Sequence, residues 1–214
     1  MYAIKEAFYS LQGEGARAGR ASVFCRFTGC NLWSGRPQDR DKSICRFCDT
    51  DFIGTNGQNG GKFVTADQLA DHLEALWPYR VNNGTRYVVF TGGEPLLQLD
   101  TALIDAMHAR DFEIAVETNG TLPAPEGIDW ICVSPKGVST LVQTSGHELK
   151  LVYPQTDALP ERFEEMAFEH FYLQPMDLVP LGQQGTTQAR ALTYCLQHPR
   201  WKLSLQMHKI IGID

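Results

Sequence analysis

Three of the six cysteines have a spacing that suits a metal centre. Cys45 and Cys48 form a C-x-x-C pair, and fourteen residues separate Cys30 from Cys45. The short pair can present two thiolates to one metal ion or iron–sulfur cluster, because the turn between them brings both sulfurs to the same side. A cluster held by only three cysteines leaves one iron open to bind a ligand for catalysis. The spacing therefore favours a catalytic iron–sulfur cluster.

Other uses of these thiols stay open on the residues alone. A disulfide is disfavoured because the chain looks intracellular and is large enough to bury a core. A thioredoxin-type redox pair needs a strand-to-helix turn, whereas a glycine-rich loop at 54–61 follows Cys48. A structural zinc site needs a fourth ligand, and the nearest histidine in sequence, His72, falls on a predicted helix.

The remaining three cysteines have no such grouping. Cys25 and Cys132 fall in predicted strands, and Cys195 falls in a predicted helix beside Leu192 and Leu196. Free cysteine behaves as a small hydrophobe and is among the most buried residue types. We therefore interpret these three as structural.

Alternating strands and helices follow the cysteine segment and would position its chemistry. Short apolar runs predict strands at 22–27, 86–91, 113–117, 130–133, 148–153, 168–173 and 201–207. A capping box at 65–68 begins one predicted helix, and further helices are predicted at 100–110, 159–166 and 186–197. This alternation predicts an α/β fold with a parallel sheet built from right-handed crossovers.

The length limits how many of these units the fold contains. A complete eight-unit barrel takes about 250 residues, and the chain has 214. We therefore predict a shortened or partial (βα)6-type, TIM-like barrel with an extended cluster-binding loop. One domain is expected over 1–214, with the cluster loop at about 28–61.

Polar clusters follow successive predicted strands, at the edge where parallel α/β folds bind ligands. They lie at 29–30, 91–95, 117–120, 134–136 and 174–177. Glycines at 92 and 93 would let the backbone approach a ligand closely, and Glu94 is expected to take a ligand ammonium group.

The composition excludes several classes of protein. The chain is 43% hydrophobic and 21% charged, which is typical of a globular protein. A net charge of −6 without a basic run argues against nucleic acid as a partner. No apolar stretch approaches the length of a membrane span, and no signal peptide is visible. We expect a cytoplasmic protein.

The cysteine triad and Thr91-Gly-Gly-Glu-Pro95 together resemble the radical S-adenosylmethionine (SAM) enzymes. The resemblance implies that Cys30, Cys45 and Cys48 hold a [4Fe–4S] cluster whose open iron is chelated by SAM. The usual triad is C-x-x-x-C-x-x-C, and this chain widens the first gap.

Further motifs are similar to the 7-carboxy-7-deazaguanine synthase family, some members of which carry an enlarged cysteine loop. These are the segments at 11–15, 26–31, 48–50, 117–120, 134–136 and 174–177. The resemblance implies that 6-carboxy-5,6,7,8-tetrahydropterin is converted to 7-carboxy-7-deazaguanine in 7-deazapurine (queuosine-type) biosynthesis. A 5′-deoxyadenosyl radical would abstract hydrogen from C6, the ring would contract, and ammonia would leave.

The same resemblance implies site residues, a further metal and partners. Thr50 would bind Mg2+, and the family suggests a homodimer with a flavodoxin or ferredoxin as reductant. The substrate would contact Leu11, Gln12, Gly13, Glu14, Arg26, Thr91 and Asp214. SAM would contact Phe47, Cys48, Asp49, Gly93, Glu117, Ser134, Pro135, Lys136, Gln174, Pro175, Met176 and Asp177.

Two alternatives remain at this point. A glycyl-radical activating enzyme resembles this class in its short barrel and its Gly-Gly-Glu-Pro segment, although its cysteine triad is normally compact. A non-catalytic zinc-binding module could use Cys30, Cys45 and Cys48. The segment at 11–15 favours the pterin enzyme over both.

Overall fold

A computed structural model describes residues 1–78, 84–181 and 186–213 of the chain. Within these ranges nine strands form one sheet, in the order β3-β1-β2-β4-β5-β6-β7-β8-β9. The strands are β1 Tyr2–Leu11, β2 Ala21–Phe27, β3 Gly61–Phe63, β4 Arg86–Gly92, β5 Phe112–Thr118, β6 Trp130–Val133, β7 Ser145–Tyr153, β8 Ala167–Pro175 and β9 Trp201–Leu203.

Four α-helices accompany these strands in the same ranges. They are α1 Ala66–Leu76, α2 Thr101–His108, α3 Gln188–Gln197 and α4 Met207–Ile211. The amphipathic spacing of α1 buries Leu69 and Leu73, and that of α2 buries Leu103 and Met107. None of the helices in the described ranges is long and apolar enough to cross a membrane.

β2 and β4 to β9 are parallel to one another and neighbour each other in chain order. β3 instead lies at the outer edge, beside β1. The carboxyl ends of the parallel strands therefore meet at one edge, as predicted. β3 and β9 are the two outer strands of the order, so the sheet matches a shortened or partial barrel rather than a closed one.

The N-terminal strands depart from a purely parallel sheet. β1 runs antiparallel to β2 and to β3, and its register with β2 shifts between Ile4 and Glu6. The sequence prediction omitted β1 because the charged pair Lys5 and Glu6 interrupts its alternation of apolar and polar residues. Leu11 pairs with Ala21 at the start of β2, and the side chain of Gln12 then reaches Glu117 near the end of β5 over 2.9 Å.

Two other predicted elements were wrong. The helix predicted at 159–166 is only a 3-10 turn, Pro160–Arg162, because Phe163 is drawn into the core and β8 begins at Ala167. The strand predicted at 201–207 ends at Leu203. Beyond it the chain turns away from β8, since the amide of Met207 donates to the carbonyl of Gly13 over 2.9 Å.

The strands divide their side chains between a helix-covered core and the opposite face. On β7, Leu149 and Leu151 pack into the core with Phe171 and Trp201. Because side chains alternate along a strand, Lys150 points to the other face. That face carries the candidate site.

Thr65→Ala is expected to lower the free energy of unfolding by about 1 kcal/mol. Thr65 accepts a hydrogen bond from the Gln68 amide over 3.2 Å, and the Gln68 side chain accepts from the Thr65 amide. Urea unfolding under anaerobic conditions measures the change, with Thr193→Ala on the exposed face of α3 as control. Equal stability of the two variants would contradict the capping role.

Candidate active site

A cavity of about 480 Å³ opens at the carboxyl edge of the sheet and has the size of a small-molecule site. The cysteine loop, the segment after β1, the ends of β2, β4, β5, β7 and β8, and the C-terminal segment all contribute to its wall. It is lined by nineteen of the residues predicted from the sequence, which are Leu11, Gln12, Gly13, Glu14, Arg26, Cys30, Cys45, Phe47, Cys48, Asp49, Thr50, Thr91, Gly93, Glu117, Ser134, Lys136, Gln174, Pro175 and Asp177.

The three predicted ligand cysteines lie together on one side of the cavity. Cys45 is buried, and Cys30 and Cys48 are partly buried. A hydrogen bond from the Cys45 thiol lowers the pKa of Cys48 to about 6, and the same bond raises the pKa of Cys45. Lys136 nearby also favours thiolate at both positions. The pKa of Cys30 is raised, mainly by burial.

Local contacts hold the cysteine loop in place. Cys45 donates its amide to the carbonyl of Leu32 over 3.4 Å, which ties the C-x-x-C turn to the segment after Cys30. Arg40 donates to the carbonyls at 46 and 48, over 2.7 and 3.0 Å. Its guanidinium stacks on Trp33, whose ring packs edge-on against Phe52. This small aromatic cluster gives a long loop a fixed shape.

The backbone at Gly93 fits closely against the first cysteine. A Cβ at this position would overlap the carbonyl of Gly29 and would lie 2.9 Å from Cβ of Cys30. A side chain here would therefore displace Cys30. The glycine leaves its own backbone exposed to the cavity beside the thiols, which suits a bulky group bound there.

The donor set fits an iron–sulfur cluster better than a single metal ion. Three thiols share the cavity wall, yet the described part of the chain contains no group of three or more His, Cys, Asp or Glu side chains placed to hold one ion. A [4Fe–4S] cluster binds each thiolate to a different iron, so its ligands do not converge on a single point.

Glu94 does not take the role expected for it. Its side chain is fully buried and accepts from the Thr118 hydroxyl over 2.7 Å, the Asn119 amide over 2.8 Å and the Leu96 amide over 3.0 Å. It lies behind the cavity wall, and burial raises its pKa. Glu94 thus braces the ends of β4 and β5 instead of meeting a ligand ammonium.

The segment after β1 forms a second part of the cavity wall. The buried Gln12 donates to Glu117 over 2.9 Å and accepts from the amide of Glu14 over 3.1 Å. The carbonyl of Gly13 accepts from Met207, and a Cβ on Gly13 would overlap the ring of His208. The C-terminal segment therefore closes over this turn.

A buried lysine lies between two carboxylates of the cavity wall. Nζ of Lys150 lies 2.6 Å from Glu14 and 2.7 Å from Glu117, and its side chain is 4% exposed. Burial alone would raise the pKa of Glu14, but Lys150 outweighs it and the pKa falls to about 2. Glu117 and the other carboxylates raise the pKa of Lys150 despite its burial. The network is therefore charged.

Arg26 and the Thr50 region form a third part of the wall. Nε of Arg26 donates to Glu6 over 2.8 Å. Lys5 lies 2.7 Å from Asp51, the residue after Thr50, and also donates to the carbonyl of Ile53 over 3.0 Å. These contacts fix the backbone that presents the Thr50 hydroxyl.

The C-terminal segment reaches the cysteine side as well. Nζ of Lys209 lies 2.6 Å from Asp49 and 2.8 Å from Asp177. The bond from Lys209 is the main cause of the lowered pKa of Asp177. Through these two ion pairs, Lys209 links the cysteine loop to the end of β8.

Comparison with known proteins identifies the family. The model of the radical SAM superfamily matches residues 40–167, a span that contains Cys45 and Cys48 and begins after Cys30. The chain is 64% identical over 212 residues to the 7-carboxy-7-deazaguanine synthases of Bradyrhizobium diazoefficiens and Bordetella pertussis, covering 99% of each chain. The chain belongs to the 7-carboxy-7-deazaguanine synthase family. Membership implies a [4Fe–4S] cluster and SAM as cofactors.

A more distant relative agrees with this assignment, and a solved structure shares the fold alone. The 7-carboxy-7-deazaguanine synthase of Nitratidesulfovibrio vulgaris is 55% identical over 213 residues, again covering 99% of each chain. The crystal structure of QueE from Escherichia coli shares the fold, with a TM-score of 0.69 at 24% identity, over 97% of this chain and 94% of that one.

Two residues that the family resemblance suggested, Pro135 and Met176, do not line the cavity described here. Pro135 flanks it, and its carbonyl accepts from Gln155 over 3.3 Å. Met176 also flanks it, with its amide bonded to Tyr153 and its carbonyl to Thr187. Asp214 lies outside the described residues.

Several lining residues were missed as site residues by the sequence prediction. For Lys150, the sequence offered one signal. Side chains alternate along a strand, so Lys150 lies on the face opposite its apolar neighbours, close to a predicted polar cluster. The missed lining residues include Lys5, Glu6, Asp51, Asn119, Lys150 and Gln206. His208 and Lys209 also line the cavity, and the family resemblance had already placed them near the substrate.

The other three cysteines are not lining residues of this site, although Cys132 lies beside Glu117 on the neighbouring strand. Cys25 and Cys132 are buried and Cys195 is partly buried, and none of the three lines the cavity. Cys132 donates weakly to Glu148 over 3.6 Å. All six cysteines are free of disulfides.

Proposed function

We propose that this protein is the radical SAM enzyme that converts 6-carboxy-5,6,7,8-tetrahydropterin to 7-carboxy-7-deazaguanine with loss of ammonia. One observation carries the proposal. The three thiols, the Gly93 backbone and the Gln12–Glu14 turn line one cavity in a chain 64% identical to named synthases. When bound, the reduced cluster and SAM supply a 5′-deoxyadenosyl radical that takes a hydrogen atom from the substrate.

The chain's own residues on the cysteine side would hold these cofactors. Cys30, Cys45 and Cys48 would ligate the cluster. Backbone at Gly93 would approach SAM, since no side chain stands in the way. The remaining groups proposed to surround SAM supply hydrogen bonds and charge, and they are Phe47, Asp49, Glu117, Ser134, Lys136, Gln174, Pro175 and Asp177, with Pro135 and Met176 flanking them.

The cavity residues on β2 and β4 and in the segment after β1 would bind and orient the substrate. Arg26 would pair with its carboxylate, and Thr91 would contact it from the end of β4. Leu11, Gln12 and Gly13 would lie along its edge, while the Glu14 carboxylate would accept from its guanidine-like N–H groups. The C-terminal segment over Gly13 would exclude water, and we propose that Asp214 belongs to this subsite.

Mg2+ would complete the substrate subsite through the Thr50 hydroxyl. A hydroxyl is a hard oxygen ligand, and Mg2+ takes much of its shell from substrate and water. The carboxylate of the substrate would supply the negative charge that the Thr50 hydroxyl lacks. Asp51 is paired with Lys5, which leaves Thr50 as the ligand that this stretch offers.

Thr50→Ala is expected to raise the Mg2+ concentration for half-maximal product formation by roughly 10-fold, because one ligand is lost. Iron content and SAM binding should stay unchanged. Thr50→Ser keeps the oxygen and is the matched control, with wild-type Mg2+ dependence expected. Identical Mg2+ curves for the alanine and serine variants would contradict this role.

The decisive test of the function is anaerobic incubation of cluster-loaded protein with SAM, dithionite, Mg2+ and the carboxytetrahydropterin. Formation of 7-carboxy-7-deazaguanine and ammonia is expected. A full cluster without this product would contradict the proposal. A colourless preparation containing zinc would favour the zinc-binding alternative, and radical transfer to a glycine of a partner protein would favour the activating-enzyme alternative.

The setting of the enzyme follows from the same proposal. We propose one domain over 1–214, in a homodimer reduced by a flavodoxin or ferredoxin. One sheet running from β3 to β9 supports the single domain. Six free cysteines support a reducing compartment, the cytoplasm.

A further inference from the structure

Lys150 is a buried cation to which no sequence motif or proposed ligand contact assigns a role. It lies in the middle of β7, on the face opposite the core residues Leu149 and Leu151. Its residue exposure is 3%, and it lines the cavity. A lysine is almost never this buried unless it is paired.

Two carboxylates share the ammonium. Nζ lies 2.6 Å from Oε2 of Glu14 and 2.7 Å from Oε2 of Glu117. The side chains of these glutamates are 14% and 22% exposed, so solvent screens the pairs only weakly. The lysine is thus the cation that offsets the charge of the substrate-side Glu14.

Two amides also bind Glu14, and the nearby His208 helps to lower its pKa. Oε1 accepts from Gln174 over 3.0 Å and from Gln206 over 2.9 Å. An ionised carboxylate offers about four acceptor sites, so one site on Oε2 remains. A second acceptor site, on Oε1, is occupied by the amide N–H of Gln206. The proposed substrate edge carries N–H donors of the same kind.

Without Lys150 the chemistry of Glu14 would reverse. A buried carboxyl with no cation beside it takes up a proton, because burial penalises the charged form. The neutral acid carries an O–H donor where an acceptor is needed, and a donor facing the N–H groups of a ligand repels them.

We propose that Lys150 is a positioning residue that keeps Glu14 an ionised acceptor for the guanidine-like N–H groups of the pterin. The inference rests on the proposed function, which places the pterin edge at Glu14. In this proposal Lys150 acts through Glu14, with which it is paired over 2.6 Å. Replacing Lys150 is therefore expected to lower the affinity for the substrate. This loss should vanish in a variant whose residue 14 cannot ionise.

The experiment is equilibrium binding of 6-carboxy-5,6,7,8-tetrahydropterin to cluster-loaded protein, under anaerobic conditions and without reductant. Lys150→Met, Glu14→Gln and the double variant are compared with wild type. Lys202→Met is the matched control, because its exposed ammonium lies over Tyr172 outside the cavity. Binding stoichiometry and iron content report the folded fraction separately from the affinity.

Lys150→Met is expected to weaken pterin binding roughly 10- to 100-fold at unchanged stoichiometry, the usual loss for a charged hydrogen bond. The double variant should bind within about threefold of Glu14→Gln. Where Lys150→Met alone does not fold, the comparison of Glu14→Gln with the double variant still decides. A further large loss in the double variant overturns the inference, as does wild-type affinity in Lys150→Met.

The failure of the proposed function gives a different result. Wild-type protein that carries its cluster but does not bind the pterin overturns that function and this inference with it. Wild-type protein that binds the pterin as tightly as Lys150→Met does overturns the inference alone.

Discussion

Replacing Cys45 with alanine is expected to abolish cluster binding and to slow SAM cleavage by roughly 1,000-fold or more. Cys45 is the most buried of the three cavity thiols and is hydrogen bonded to Cys48. Its loss leaves one iron of the cluster without a protein ligand, in a wall that offers no replacement thiol among the described residues. Iron and sulfide content, the brown colour, and 5′-deoxyadenosine formed under dithionite measure the effect.

Cys195→Ala is the control for the loss of a thiol. Cys195 lies on α3, packed against the core near Tyr153 and away from the cavity. The Cys195→Ala variant should keep its cluster and its activity. Full iron content and SAM cleavage in Cys45→Ala, or a folded Cys195→Ala without a cluster, would show that the cysteines are divided incorrectly.

The cysteine site could be predicted because its signal is local. Cys45 and Cys48 are three positions apart, and the polar ends of the strands mark the edge that they face. Thr91 and Gly93 of the segment at 91–95 line the cavity at that edge, and their contacts with a ligand stay predictions. Glu94 was misjudged, because its partners Thr118 and Asn119 come from the next strand and no sequence spacing brings them together.

Lys150 was missed as a site residue because strand alternation is an incomplete signal. In the stretch Glu148-Leu-Lys-Leu, alternation shows that Lys150 and Leu149 lie on opposite faces, but not whether the polar face meets water or a cavity. Its partners Glu117 and Glu14 are distant in sequence and meet it only through the sheet order. A long-range ion pair of this kind depends on topology.

The C-terminal segment illustrates the same limit. Apolar and polar residues after Trp201 alternate well enough to predict a strand as far as Met207. The backbone instead leaves the sheet after Leu203 and bonds to Gly13, which lies at the other end of the chain. A tertiary contact overrides local preference here, and it places His208 and Lys209 at the cavity.

Arg26→Lys is expected to lower kcat/KM for the pterin by about 100-fold, which corresponds to ~3 kcal/mol of lost binding in the transition state. Glu6 takes Nε of Arg26, and no hydrogen bond within the described residues engages the two terminal nitrogens. A planar fork held in this way can bind a carboxylate with two parallel bonds. Lysine keeps the charge but has no fork.

Arg20→Lys is the matched control, since Arg20 makes a two-bond pair with Glu113 at 2.9 and 2.6 Å and stacks on Tyr87 outside the cavity. It should cost stability without changing kcat/KM. In Arg26→Lys, cleavage of SAM without the pterin should stay at the wild-type rate, because the cofactor wall is untouched. Unchanged KM in Arg26→Lys would reduce Arg26 to a structural partner of Glu6. A tenfold or larger rise in KM with intact SAM cleavage would assign the substrate carboxylate to Arg26.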